Sequence, residues 1–165
     1  MPLRDATLSE LTIDDDAVLA NIAIYRGLRR HMKDVGYRFR VAAAGTTLSW
    51  DRALFLNLTY WSVTDGADVL CDDHVPADVL AHAALHHIVN LKLAPSAGDH
   101  VPTPTAAFFG ESIASAFDLY LVGRLLDNAP ASDFIASQLP IMTETALQAG
   151  LSNDEFDVLI QSVQR

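Results

Sequence analysis

His82, His86 and His87 lie within six residues of one another in VPADVLAHAALHHIVNLKL, a segment that is otherwise largely apolar. Imidazole is a metal ligand and a proton donor or acceptor near neutral pH. On a helix, residues four apart share a face, so Asp78, His82, His86 and Asn90 form one slowly drifting polar stripe. Val79, Leu80, Ala83, Ala84, Ile88 and Leu91 fill most of the other faces. A helix that is apolar nearly all round is buried, and a buried polar stripe needs partners. Two readings satisfy it. His82 and His86, one turn apart, can reach one metal ion, or they are core histidines hydrogen-bonded to backbone and carboxylates.

A second apolar segment carries complementary groups. Glu111, Ser115 and Asp118 fall within about 60° of one another at helical spacing, among Ile113, Ala114, Phe117, Leu119 and Leu121. An unpaired ionised carboxylate in a core is costly, so Glu111 is expected to be paired, protonated or on a metal. If the two helices lie antiparallel, His82, His86 and Glu111 converge on a three-ligand site with one open position. Asp118 is then an additional or alternative ligand, or it holds an imidazole N–H so that the other nitrogen faces the ion. Asp78, Asp118 and His100 are the groups that could stand in as a base. His87 points about 100° away from His86 and is expected to serve a different partner. His74 and His100 fall in expected loops. Tyr120, Trp50 and Trp61 read as packing residues, and no motif surrounds Cys71.

The pair His82-Ala83-Ala84-Leu85-His86, followed by Glu111-Ser112-Ile113-Ala114 on the next helix, resembles the zincin metallopeptidases, and their gluzincin branch in particular. Those enzymes carry H-E-x-x-H on one helix and a third, glutamate ligand on the next. The resemblance covers roughly residues 75–126. It implies zinc on His82, His86 and Glu111. It also implies a degenerate enzyme, because Ala83 stands where the family places its catalytic glutamate and Ser115 where thermolysin-like members often place an aspartate. General acid–base catalysis is worth about 10²–10⁴-fold, so peptidase activity is expected to be reduced or lost. Two histidines and one carboxylate also match non-haem iron enzymes, which makes iron the alternative ion. The third alternative has no metal at all: a protein-binding or oligomerisation module whose buried polar stripes fix helix register.

The rest of the chain must position these groups. Its 165 residues suit one domain. Half are hydrophobic and mean hydropathy is +0.19, an excess that suggests a large core or a surface covered by a homodimer or protein partner. Charged or polar residues interrupt every long apolar run, so no membrane span is expected. The net charge of −10 argues against nucleic acid as a partner. Six of the eleven basic residues lie in 26–40 and read as a solvated helix face entering a strand. The lone cysteine, with no signal peptide evident, fits a cytoplasmic protein.

The fold expected is α+β and mainly helical. Residues 1–13 read as an irregular lead-in. Asp14, Asp15 and Asp16 open a helical pattern that runs towards Gly36. YRFRVAA alternates as a half-buried strand. Residues 46–63 are ambiguous between helix and strand, with a hairpin favoured, and ADVLC pairs back after the Asp65-Gly66 turn. After His74 come four or so helices: Pro76 to about Leu93, 106–127, 131–148 and 152–164. Ser152 and Glu155 have the spacing of a capping box.

Overall fold

The computed structural model describes residues 3–42, 68–70, 73–93 and 103–164. The 46–63 segment, Trp50, Trp61, Cys71 and His100 lie outside them, as does the Asn90 side chain.

The first residues are ordered rather than irregular. β1 (Leu3–Thr7) pairs antiparallel with β3 (Arg38–Ala42), Leu3 opposite Ala42 and Thr7 opposite Arg38. A short 3-10 turn (Leu8–Glu10) leads into β2 (Thr12–Asp14). LRDAT lacks alternating hydrophobicity, so its strand identity comes from its partner. β3 does alternate as expected: Phe39 and Val41 are buried, Arg38 and Arg40 exposed. β4 (Asp68–Leu70) pairs with β3 in parallel, which a simple return from a hairpin would not give. The sheet order is β1-β3-β4, and β2 makes a separate parallel pair with β5 (His74–Pro76).

The helix expected between Asp16 and Gly36 is two helices, α1 (Asp16–Leu19) and α2 (Ala23–Asp34). Asp16 ties them together. The Tyr25 hydroxyl donates to Asp16 Oδ1 at 2.6 Å, and Arg29 pairs with Asp16 Oδ2 at 3.2 Å. Tyr25, Leu28 and Met32, spaced i, i+3 and i+7, are the buried face of α2. Gly36, at φ 61°, ends it: the Tyr37 N–H reaches the Met32 carbonyl and the Gly36 N–H that of Lys33. That pattern needs a left-handed residue, which glycine adopts without a Cβ penalty.

Four helices follow residue 74, at α3 (Ala77–Leu93), α4 (Pro104–Leu126), α5 (Asp133–Gln148) and α6 (Asn153–Gln164). Pro76 closes β5 instead of occupying the first turn of α3. Side chains cap the next helices. Thr103 Oγ1 accepts from the Ala106 N–H ahead of Pro104, and Ser132 Oγ accepts from the Ile135 N–H. The box before α6 forms as expected, with the Ser152 N–H donating to Glu155 Oε2 and the Glu155 N–H to Ser152 Oγ.

α4 is the central element. It packs against α3 and against both α5 and α6, burying Ala114, Phe117, Leu121, Val122 and Leu125. α2 covers another side of α3, whose Ala77, Leu80, Ala81 and Ala84 are buried. This is a mainly helical α+β fold. Among the described residues, no helix is long and apolar enough to cross a membrane.

Close approach of α4 to α6 depends on Gly123. A Cβ there would lie 2.9 Å from Val163 Cβ and 3.3 Å from the Ile160 carbonyl oxygen. Neither neighbour is the free end of a flexible side chain. Overpacking costs about 1–3 kcal/mol, against up to about 1 kcal/mol gained from replacing a helical glycine. Gly123→Ala is therefore expected to lower unfolding free energy by about 1–2 kcal/mol. A lower denaturant midpoint at unchanged slope would show this, and an unchanged or higher midpoint would contradict it.

Candidate metal centre

Contacts between α3 and α4 fix their direction. His82 meets Asp118, His86 meets Glu111, and Val89 approaches Gly110. Numbers rise along one helix as they fall along the other, so the pair is antiparallel and the two polar stripes face each other. A Cβ at Gly110 would be in ordinary contact with Val89 and His86, 3.8–3.9 Å away, so the two helices run close at this level.

His82, His86 and Glu111 each present a ligand atom, all within 4.8 Å of one another. His82 Nε2 and His86 Nε2 are 3.0 Å apart. Glu111 Oε2 stands 3.9 Å from His82 Nε2, and Oε1 stands 3.6 Å from His86 Nε2. A tetrahedral zinc with bonds of about 2.0–2.2 Å sets its ligand atoms about 3.3–3.6 Å apart. The two nitrogens and the two carboxylate oxygens thus lie within about half an ångström of that spacing, close enough for one ion to draw them together. Both carboxylate distances are too long for hydrogen bonds. The Glu111 side chain is 40% exposed, against 25% for His82 and 18% for His86, so the solvent side of the group is the Glu111 side.

Asp118 lies behind His82, not among the three. Its Oδ2 is 2.8 Å from His82 Nδ1, a charge-assisted distance, so the Nδ1–H donates to the carboxylate. The neutral ring then carries its lone pair on Nε2, facing His86 and Glu111. The His86 Nε2–H donates to it when no ion intervenes. The same carboxylate raises the pKa of His82 above its ordinary value, outweighing burial. Burial, with His82 alongside, lowers that of His86.

The other sequence candidates are elsewhere. His87 turns toward α2 and the residue that precedes β3, with its ring centroid 4.8 Å from Tyr37 and 5.8 Å from His31. Burial, then His31, lowers its pKa. Sequence reasoning gave His87 another partner without finding His31, because nothing local links two histidines on separate helices. His74 Nδ1 lies 3.2 Å from Asp14 Oδ1 beside the β2–β5 pair. Ser115 is exposed on α4. Asp78, one turn before His82, is part-buried and bonds backbone N–H groups of its own first turn.

Burial is the main cause that raises the pKa of Asp78 above its ordinary carboxylate value of 3.8, with Asp118 adding to it. A carboxyl that holds its proton more tightly when folded stabilises the fold at acid pH. That contribution is lost as pH rises through the folded value. Asp78→Asn removes the charge but keeps an oxygen that accepts from the backbone. It is expected to raise the melting temperature at neutral pH and to flatten the dependence of stability on pH just above 3.8. A lower neutral-pH melting temperature would contradict this.

Comparison with known proteins supplies no relative: no family model, no curated protein and no solved structure matches the chain.

Proposed function

We propose that the protein binds one divalent metal ion, zinc before iron, between α3 and α4 through His82 Nε2, His86 Nε2 and the Glu111 carboxylate. One observation carries this reading: two imidazole nitrogens one helical turn apart and a carboxylate oxygen from the facing helix converge within 4.8 Å of one another. Asp118 supports the reading by fixing the His82 tautomer, as partners behind metal-bound histidines do. A donor set of two nitrogens and one oxygen suits zinc, and the same donor set on iron is the competing assignment.

The gluzincin resemblance extends this to a zincin-like domain whose peptidase activity is reduced or lost. Ala83 supplies no base, and Asp118 is committed to His82 Nδ1. The zinc itself would supply Lewis acidity and a geometric clamp between two helices whose His82–Asp118 hydrogen bond already joins them.

Elemental analysis of tag-free protein tests the proposal, with His82→Ala and Glu111→Ala run beside the parent. Near-stoichiometric zinc in the parent, lost from both variants, is expected. Near-stoichiometric iron would select the competing ion. No metal after reconstitution with excess zinc or iron(II) would overturn the reading and make the histidine stripe structural. Zinc at about 100 times its Kd should also stabilise the parent by about 2.7 kcal/mol. For a chain of this size that is a melting-temperature rise of about 5–10 °C, reversed by a chelator and absent in Glu111→Ala.

A further inference from the structure

The charges around the centre bear on what could bind at its open position. Two carboxylates serve the group: Glu111 beside both Nε2 atoms and Asp118 behind His82. Together they offset the two positive charges of a divalent ion. Among the described residues, the ion-pair partners of Glu111 and Asp118 are the two histidines; no lysine or arginine joins them. Among the described residues, Arg4 pairs with Asp73, Arg29 with Asp16 and Arg38 with Asp5, away from the group. Asp78 adds a third carboxylate one turn from His82 and acts on its charge. Sites built for anions use arginine, lysine or the first turn of a helix. Glu111 is two turns into α4, beyond the reach of its terminal dipole.

Resting on the metal reading, we propose that the coordination position left by His82, His86 and Glu111 takes neutral nitrogen donors, such as an amine or an imidazole, and discriminates against anions. A neutral donor adds no charge to a cluster already balanced by its carboxylates. An anion makes the cluster net negative within a partly buried, low-dielectric setting where repulsion is weakly screened. Asp118 has two effects here. Its hydrogen bond orients His82, and its charge lowers the affinity for any second anion.

Cobalt(II) in place of zinc makes the test visible, because its absorption bands report each added ligand. The protein is loaded with cobalt(II) and titrated with imidazole and, separately, with azide at fixed pH and ionic strength. The preference for imidazole over azide is expected to exceed that of aqueous cobalt(II) by about tenfold. Asp118→Asn keeps a hydrogen-bond acceptor and removes the charge. It should tighten azide about tenfold while moving imidazole less than about twofold. Asp118→Glu, which keeps the charge, should retain the parent preference. A parent preference equal to that of aqueous cobalt(II) overturns the proposal, and needs no variant to fold. Equal shifts of both ligands in Asp118→Asn overturn it as well. Absence of a protein-bound cobalt spectrum in the parent instead overturns the metal reading, so the two failures are distinct.

Discussion

The hydrogen bond from His82 Nδ1–H to Asp118, 2.8 Å long and part-buried between α3 and α4, sets everything else at the centre. It determines which nitrogen of His82 is bare. It holds the ring plane so that Nε2 faces His86. It also pins the register of two helices whose remaining contacts are largely apolar and therefore non-directional. A shift of α4 by one residue would carry Asp118 and Glu111 together about 100° around the helix. Both would then leave the imidazoles, and two carboxylates would lose their partners in a costly environment.

Packing around α4 makes that register hard to escape. α3 lies against one side of it, and α5 and α6 against others, with Gly123 allowing α6 close. The polar stripes are the part of the interface that tolerates one arrangement only. Their groups are served from two directions: Asp118 from behind His82, Glu111 from the solvent side. The two carboxylates, seven positions apart on a single helix, thus meet the histidine pair from opposite sides.

Much of the site was legible because its signals are local. Four-residue spacing aligned Asp78, His82 and His86 on one stripe; the burial expected from the apolar residues around them holds for Leu80 and Ala84, while Val79 and Leu91 are exposed and the stripe itself is part-buried. The convergence of Glu111 followed from assuming an antiparallel pair. Helix starts were readable at Ser152-Glu155, where the side chain that caps is also the residue that signals the cap. What escaped depends on distant partners. LRDAT and Thr12–Asp14 are strands only because β3 and β5 lie beside them. The break between α1 and α2 has neither glycine nor proline to announce it, and rests on Asp16 reaching Tyr25 and Arg29. Asp118 could be placed near the histidines from sequence, but whether it met the inner or outer nitrogen required the three-dimensional contact. The His31–His87–Tyr37 cluster joins two helices and the residue before β3, and had no sequence signature at all.

The most direct measurement is anomalous X-ray diffraction from crystals soaked in zinc, recorded on both sides of the zinc absorption edge. The account predicts one strong peak between α3 and α4, about 2.0–2.2 Å from His82 Nε2, His86 Nε2 and a Glu111 oxygen, with Asp118 still bonded to His82 Nδ1. A peak ligated by Asp118 in place of Glu111, or no peak between these helices, would contradict it.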